Sequence, residues 1–492
     1  MNESNWSRRD WLKTSGSLGG LAMANALSPF PAASAAEASS AINIGSRREL
    51  FVDRLLIERM RGAALKMHSP VKTPRAKSPL PVRHMKTIIR DKGLLHAWYR
   101  GSDPSFTGEK HTGHAGETLH YARSVDGHEW EFPNLGLHTI GGTRDNNVIL
   151  ANQPPFLTNF MPFLDTRPGI PANERFKTLA GYPGPGDKRG TNIPGRGLFA
   201  FVSPDGISWT KRKEAIPFRS EWRHAFDSPN VTFWSEAEQL YVCYFRTWTR
   251  PERLRSISHS TSKDFVNWSK PVEMHPNLPG EHLYTNSTQP YPRAPHIYIA
   301  LPTRFVPGRG DGPDYDRKDV NATDILFMTT RAGSEKYDRA FTHAFIRPGM
   351  DPASWKNRSN YAALNVIQSS PKELSIYHRS GERYDLRTDG FISINAGAKK
   401  AEVVTKPLIF SGKHLEVNLS ASAVGGLRVE LQTEDGKAIP GFSLKDCAPV
   451  YGDGIDLAVK WKDDANLAAI AGRPVRMRFA MTECDLYAFR FH

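Results

Sequence analysis

Three acidic side chains stand where the sequence predicts that short apolar strands begin or end. Asp165 follows the apolar segment 160–164, and Asp227 precedes a strand that begins near Val231. Glu281 opens a segment dense in hydroxyl, amide and aromatic side chains. Hydrolysis of a glycosidic bond requires one carboxyl group that protonates the leaving oxygen and a second that acts as base or nucleophile. The three residues are therefore candidates for catalysis, and turn caps or surface ion pairs are the alternative explanation for each.

Other polar and aromatic residues near the same strands have the chemistry to bind a sugar. Arginine forms bidentate hydrogen bonds with carboxylate or sulfate groups. Aromatic rings can stack on a pyranose face, although they are also common in the cores of β-proteins. The candidates for substrate binding are Glu117, His224, Arg246, Tyr284, Asn286, Tyr291, Arg293 and Arg304.

Two segments contain residue types that bind metal ions, but neither has a complete ligand pattern. His111 and His114 stand near Glu117 without a matching partner elsewhere in the sequence. The segment 308–316 is acidic and glycine-rich, as calcium loops are, but it lacks the ligand register of an EF-hand, and a mobile lid is the alternative. The three cysteines match no zinc motif. We therefore predict no metal site and no cofactor.

A short motif recurs along the first two thirds of the chain. Each copy has a serine at the end of a strand, an aspartate two residues later, a tight turn and a tryptophan. The copies occupy 119–130, 198–209 and 262–268, and a degenerate copy occupies 325–333. Between them lie short strands, many Gly and Pro residues and little helical periodicity. Since small sheets arranged around an axis leave few open edges, the sequence predicts an all-β fold with a five-bladed β-propeller over residues 45–385.

The last hundred residues have a different pattern. From residue 390 to 492 the sequence contains evenly spaced strands in which apolar and polar residues alternate. Such alternation is typical of antiparallel strands with one buried face, and it predicts a second domain that is a β-sandwich. Cys447 and Cys484 lie in this domain and would pair if the fold brought them together.

Residues 1–35 have the features of a twin-arginine signal peptide. Arg8 and Arg9 precede an Ala/Gly-rich segment that ends in a small-residue cleavage site, Ala33-Ser34-Ala35. We therefore expect a protein that folds before export and acts in the periplasm or outside the cell. No later segment reaches the roughly 18 to 20 apolar residues of a membrane helix, so we predict no membrane span.

The charge of the chain indicates the kind of partner. The formal net charge is +14, and residues 1–35 contribute only +1 of it, from two Arg and one Lys against one Glu and one Asp. A basic folded protein attracts polyanions, although general solubility is an alternative explanation. Export and the absence of a nucleic-acid-binding motif argue against DNA or RNA. We predict an acidic or sulfated polysaccharide as the substrate, and the sequence does not indicate an oligomeric state.

A propeller with S-x-D-G-x-x-W turns followed by a sandwich resembles the invertase-like and arabinanase-like glycoside hydrolases of families 32 and 43. Arabinanase-like enzymes use an Asp base, an Asp that orients the substrate and a Glu acid on three successive blades. The resemblance implies these roles for Asp165, Asp227 and Glu281, in that order. It further implies an exported glycoside hydrolase that inverts the configuration of its substrate.

The chain departs from both families in its motifs. Segment 73–80, where an invertase carries its nucleophile, contains no carboxylate, and the invertase R-D-P motif is matched only partly by 226–229. The one E-C dipeptide, Glu483-Cys484, lies in the predicted sandwich. These departures leave open a non-catalytic carbohydrate-binding propeller. A sialidase-like exo-glycosidase is a second alternative, although the turns at 124–127 and 203–206 lack the residue that separates Asp from Gly in a sialidase Asp-box.

Overall fold

The structure is a computed structural model. It describes residues 41–181, 197–217, 225–309, 321–462 and 465–492. The signal peptide predicted at 1–35, the binding candidate His224 and most of the segment 308–316 lie outside the described residues.

The first four strands do not belong to the propeller. They are β1 (Ile42–Gly45), β2 (Arg48–Leu50), β3 (Ile57–Arg61) and β4 (Ala63–Met67). All four pair with strands from the C-terminal part of the chain. The buried side chains of Ile44, Phe51 and Leu56 explain this pairing, because they complete the core of the C-terminal domain. The boundary expected at residue 45 therefore does not coincide with the strand pairing.

Five small antiparallel sheets follow along the chain. The first contains β6 (Lys86–Asp91), β7 (Leu94–Ser102), β8 (Glu117–Ser124) and β9 (Val148–Ala151). The second contains β10 (Phe163–Leu164), β11 (Phe176–Ala180), β12 (Leu198–Ser203) and β13 (Thr210–Ile216). The third contains β14 (Val231–Ser235), β15 (Leu240–Trp248), β16 (Arg255–Ser262) and β17 (Val272–Glu273).

The fourth and fifth sheets complete the series. The fourth contains β19 (Gln289–Tyr291), β20 (Ala294–Ala300) and β23 (Met328–Arg331), and a separate sheet of β18 (His282–Leu283), β21 (Thr303–Val306) and β22 (Ala322–Ile325) is inserted in it. The fifth contains β24 (Ile367–Ser370), β25 (Glu373–Tyr377) and β26 (Arg383–Arg387), and its outermost strand is β5 (Val71–Lys72) from the beginning of the propeller. An N-terminal strand thus closes the last sheet.

The innermost strands of the five sheets form a closed ring. β6 lies against β10, β10 against β14, β14 against β19, and β24 against β6. The remaining step, from β19 to β24, is bridged by the Gln289 Oε1 atom, which accepts a hydrogen bond of 2.8 Å from the backbone N–H of Val366. This ring is consistent with the five-bladed propeller predicted from the sequence.

The recurring Ser/Asp motif forms the same turn in three blades. In the first copy, Ser124 Oγ accepts the backbone N–H of Gly127 at 2.9 Å, and Asp126 Oδ1 accepts those of His128 and Glu129 at 2.7 and 3.0 Å. The corresponding bonds recur in 203–208 and in 262–267. Because the side chains bond to the backbone within six residues, the turn is determined by local sequence.

These turns also connect consecutive blades. The Tyr377 hydroxyl of the fifth blade donates to the Gly127 carbonyl of the first at 2.7 Å, and Trp98 Nε1 of the first blade donates to the Gly206 carbonyl of the second at 2.7 Å. In the third copy the glycine is replaced by Phe265, whose ring packs edge-on against Phe163 of the second blade at 5.8 Å. The motif therefore stabilises the ring as well as each blade.

The Tyr377→Phe variant is expected to lower the free energy of unfolding by about 1–3 kcal/mol, because it leaves the buried Gly127 carbonyl without its donor. Urea unfolding followed by tryptophan fluorescence measures this change. The matched control is Tyr451→Phe. Because Tyr451 is 71% exposed, loss of its hydroxyl should have almost no effect on the free energy of unfolding. Equal stability of the two variants would contradict a structural role for the turn.

The C-terminal domain is a β-sandwich. Its strands are β27 (Ile392–Ala396), β28 (Ala401–Thr405), β29 (Leu408–Phe410), β30 (Leu415–Gln432), β31 (Asp453–Val459) and β32 (Pro474–Phe491). The long strands β30 and β32 pair along most of their length and bury alternate residues such as Val417, Leu419 and Val429. Cys243, Cys447 and Cys484 are buried free thiols, so the possible pair in this domain is not formed.

Helical structure is limited to short 3₁₀ turns in the described part of the chain. They span Phe156–Asn159, Ala172–Glu174, Pro352–Trp355 and Leu467–Ala469. Within the described ranges, no helix has the length and apolar character needed to cross a bilayer.

Candidate functional site

A pocket opens at the end of the propeller axis where the inner strands begin. Its cavity volume is about 50 Å³, and it is open to solvent. Each of the five blades contributes a residue that stands shortly before its inner strand: Met85, Asn159, Asp227, Tyr284 and Tyr361. We call this the axial pocket; its other described lining residues are His84, Arg100, Thr112, Thr158 and Arg358. Because all five blades build it, closure of the ring fixes the relative positions of these side chains.

Asp227 is the carboxylate that lines the axial pocket. Its Oδ2 atom accepts a hydrogen bond of 2.6 Å from Nη2 of Arg246, whose side chain is only 3% exposed, whereas the Asp227 side chain is 30% exposed. The preceding residue, Phe226, has a φ of 65°, a left-handed conformation that bulky residues rarely adopt. Asn159 Nδ2 stabilises it by donating to the Phe226 carbonyl at 2.7 Å. Backbone strain of this kind is concentrated at functional sites, where it directs a side chain.

A second carboxyl group, Glu117, lies behind the pocket wall. Its Oε1 atom accepts hydrogen bonds from Arg100 Nη2, from the backbone N–H of Gly113 at 2.9 Å and from Thr158 Oγ1 at 3.2 Å. Its Oε2 atom is buried and has no hydrogen-bond partner among the described residues. Burial raises the pKa of Glu117 even though the charge of Arg100 opposes the shift. Since Arg100 and Thr158 line the pocket, the carboxyl group adjoins it.

Aromatic rings form one wall of the axial pocket. The rings of Tyr284 and Tyr361 meet nearly at right angles with centroids 5.8 Å apart, and His84 packs edge-on against Tyr361 at 5.2 Å. Burial and the charge of Arg379 lower the pKa of His84 to about 3. The imidazole is therefore neutral at physiological pH. Tyr284 and Tyr361 line the pocket, although both side chains are largely buried.

Three guanidinium groups surround Tyr284. The guanidinium carbons of Arg246, Arg255 and Arg358 lie 5.0, 5.4 and 5.6 Å from the centre of its ring. Distances below about 6 Å are those of cation–π contacts. The aromatic wall is therefore also strongly positive.

Asp165, the residue predicted as the base, lies at the other end of its blade. It follows β10, whereas Asn159, which lines the pocket, precedes that strand. The Asp165 carboxylate is fully buried, accepts a hydrogen bond of 2.6 Å from the Tyr241 hydroxyl and lies 2.8 Å from Nζ of Lys177, which is also buried. These contacts are those of a buried structural ion pair.

Glu281, the residue predicted as the acid, also lies outside the described lining of the pocket. It precedes β18 in the inserted sheet, and both of its oxygens accept hydrogen bonds from Arg339, at 2.5 and 3.2 Å. Its side chain is 7% exposed. Of the three carboxylates predicted to be catalytic, the structure therefore brings only Asp227 into the axial pocket.

The predicted binding residues divide in the same way. Arg246 and Tyr284 are at the pocket with Asp227, and Glu117 adjoins it. The others make structural contacts elsewhere: Asn286 bonds to the Pro229 carbonyl at 3.2 Å, Tyr291 and Arg293 bond to Asp389 at 2.6 and 3.1 Å, and Arg304 pairs with Asp324.

Sequence reasoning missed several residues of the pocket. Five of them line it, namely His84, Arg100, Asn159, Arg358 and Tyr361, and Arg255 contacts Tyr284. A search of the positions before the inner strands for basic and aromatic side chains, in addition to acidic ones, would have found His84, Arg358 and Tyr361.

The histidines near Glu117 do not form a metal site. Their rings are 6.2 Å apart, and His114 stacks on Phe106 while its Nδ1 atom accepts the backbone N–H of Gly116. Throughout the described ranges, no group of three or more His, Cys, Asp or Glu side chains is arranged to hold a metal ion.

No family model matches this chain. No curated protein matches it in sequence either. Among solved structures, it is similar to a family 43 arabinoxylan arabinofuranohydrolase from Bacillus subtilis, with a TM-score of 0.39 and 11% identity over 86% of this chain and 99% of that one. An N-acetylgalactosamine deacetylase from F. plautii gives the same score and identity over 85% and 95%. An α-L-arabinofuranosidase from Fusarium graminearum gives 0.38 and 12% over 70% and 93%.

Proposed function

We propose that the protein is an exported glycoside hydrolase that acts on an acidic or sulfated polysaccharide, with Asp227 and Glu117 as its working carboxyl groups. The observation that supports this proposal is the axial pocket itself. It contains a partly exposed aspartate, and a buried glutamate of raised pKa lies behind two of its lining residues, Arg100 and Thr158. Glycoside hydrolysis requires two carboxyl groups in different protonation states.

The different environments of the two groups assign their roles. A carboxyl group with a raised pKa keeps its proton to higher pH and can donate it to the leaving oxygen, so Glu117 is the general acid. Asp227, held by the guanidinium of Arg246, is the carboxylate that activates water. Arg246 and Asn159 position Asp227 through the contacts described above. Inversion, which the family resemblance implies, is part of this proposal.

The basic character of the pocket supports an acidic substrate. The net charge of +14 creates a field that attracts polyanions, and the guanidinium groups near Tyr284 bring positive charge to the site itself. A neutral polysaccharide would leave this charge uncompensated. The proposed location, the periplasm or the exterior, is where such polymers occur.

Incubation with a panel of algal and plant polysaccharides tests the proposal. The panel pairs neutral polymers with acidic and sulfated ones, and new reducing ends are the measure of hydrolysis. The Asp227→Asn variant is the control for contaminating activity. Proton NMR of the first product anomer then distinguishes inversion from retention. Binding without new reducing ends would instead support the non-catalytic carbohydrate-binding protein.

The Glu117→Gln variant is expected to lower kcat/KM by about 10²-fold on substrates with poor leaving groups, because glutamine cannot supply the proton. Aryl glycosides with activated leaving groups need little protonation and should lose much less. In the wild-type enzyme kcat/KM should fall as the pH rises through the raised pKa of Glu117, since the acid must be protonated, and this limb should disappear in the variant. Equal losses on both substrate types would show that Glu117 acts only by holding Arg100.

A further inference from the structure

We infer that the axial pocket contains a binding site for an oxyanion of the substrate, formed by the guanidinium groups of Arg255 and Arg358 beside Tyr284 and assisted by Arg379. The shared chemistry of the ligand is a sugar-borne oxyanion, either the carboxylate of a uronic acid or a sulfate ester. The inference rests on the proposed function in taking the ligand to be a carbohydrate. It adds the place where the acidic group binds and the residues that select it.

The charges around the pocket do not balance. Five guanidinium groups lie in or next to it, and they belong to Arg100, Arg246, Arg255, Arg358 and Arg379. Glu117 pairs with the first and Asp227 with the second. The other three have no carboxylate oxygen within 4.0 Å among the described residues. Among the described residues, at least three positive charges are therefore left without a carboxylate.

The arginines affect one another. Burial and then the charge of Arg246 lower the pKa of Arg255, and Arg358 adds to the effect. Like charges at such distances repel each other, and the repulsion is strong where water is partly excluded. A bound anion would remove it, so the pocket is more complementary to an anion than to a neutral sugar.

Three aromatic rings hold the guanidinium group of Arg255 in place. Its guanidinium carbon lies 4.6 Å from the centre of the Trp248 ring, 4.7 Å from that of Phe305 and 5.4 Å from that of Tyr284. Aromatic contacts on several sides fix the plane of the group, and its buried Nε atom has no hydrogen-bond partner. A guanidinium already fixed in place loses little entropy on binding a carboxylate or sulfate.

Arg358 completes the site from the open side. It is exposed, lines the axial pocket and lies 5.6 Å from the centre of the Tyr284 ring. Arg255, which approaches the same ring, is half-buried. An oxyanion that contacts both groups would sit against Tyr284, so the attached sugar would be close to Asp227, which lines the same pocket.

The test compares three oligosaccharides of equal length by isothermal titration calorimetry: a neutral galactan oligomer, an oligogalacturonide and a sulfated galactan oligomer. At least one of the two anionic oligomers should bind at least tenfold more tightly than the neutral one. Tighter binding of the oligogalacturonide would identify the carboxylate as the ligand, and tighter binding of the sulfated galactan oligomer would identify the sulfate. Raising the ionic strength should reduce the difference, as expected for an electrostatic contact.

The Arg358→Gln variant is the decisive test, because Arg358 is exposed and the substitution should not disturb folding. It should abolish most of the preference for the anionic oligomer. The matched control is Arg90→Gln, which removes the same charge from an exposed arginine at the opposite end of the inner strand β6. As a measurement independent of the glycan, sodium sulfate should raise the melting temperature more than sodium chloride of equal ionic strength. Part of this difference is the general effect of sulfate on folded proteins, and the part that comes from the site should make the difference smaller in Arg358→Gln than in Arg90→Gln.

Equal affinity for all three oligomers, no binding of either anionic one, or the same preference in the Arg358→Gln and Arg90→Gln variants would overturn the inference. These outcomes are distinct from failure of the proposed function. A preference for anions without any hydrolysis would leave the oxyanion site standing and reject the hydrolase. Hydrolysis of neutral glycans without a preference would do the reverse.

Discussion

The Asp227→Asn variant is expected to lose about 10³-fold or more of its turnover while retaining its fold. Asparagine has nearly the same shape, and its amide oxygen can still accept the hydrogen bond from Arg246. It can neither take a proton from water nor act as a nucleophile. Turnover on the substrate identified by the polysaccharide panel, measured beside thermal unfolding, separates the chemical loss from any loss of stability.

The control for this variant is another arginine-bound aspartate. Asp324 accepts two hydrogen bonds from Arg304 in the inserted sheet and does not line the pocket. The Asp324→Asn variant makes the same chemical change and should keep its turnover within about twofold of the wild type, since its effect is confined to a partly exposed ion pair. If Asp227→Asn and Asp324→Asn had equal activity, Asp227 would not be a catalytic residue.

The turns and the blade number could be predicted because their causes are local. Ser124 and Asp126 bond to backbone groups within five residues, and the same spacing recurs at Ser203 and Ser262. All the residues that form such a turn therefore lie together in one short stretch of sequence. The pairing of β1 to β4 with the C-terminal strands was not predictable in this way, because it joins residues more than 300 positions apart.

The positions of the acidic residues show more clearly what could not be predicted from the sequence. Asn159 and Asp165 flank the same short strand, yet only Asn159 is at the pocket. An apolar strand identifies an inner position without showing which of its ends faces the pocket. Asp227 precedes its inner strand, whereas Asp165 follows its inner strand. The sequence analysis gave both of them catalytic roles, although they lie at opposite ends of their blades.

The arginine group depends on closure of the whole ring. Arg100 comes from the first blade, Arg255 from the third, and Arg358 precedes the inner strand of the fifth. Their separation along the chain carries no pattern, and each alone resembles a solvent-exposed charge. Only the ring brings them to one pocket, where their charges add. The sequence signals for an acidic ligand were therefore the net charge of the chain and single arginines such as Arg246.

The second large effect is expected at Lys177, whose replacement by Met should lower the free energy of unfolding by about 3–5 kcal/mol. Lys177 and Asp165 are both buried. Among the described residues, removal of the ammonium group leaves the Asp165 carboxylate with two neutral donors, the Tyr241 hydroxyl and the backbone N–H of Arg167. Burying an uncompensated carboxylate is costly, whereas replacing both members of a buried pair by neutral groups is tolerated better. The Asp165→Asn, Lys177→Met double variant should therefore recover much of the lost stability in urea unfolding.

The same variants distinguish a structural Asp165 from the catalytic base that the family resemblance implies. A structural role requires that the turnover of the double variant, expressed per folded molecule, stays close to that of the wild type. A base cannot be replaced by asparagine without a large loss of kcat, whatever happens to stability. A stable double variant without turnover would return Asp165 to the catalytic set. A stable and active one would leave the chemistry to the axial pocket, where Asp227 is the carboxylate that the ring presents.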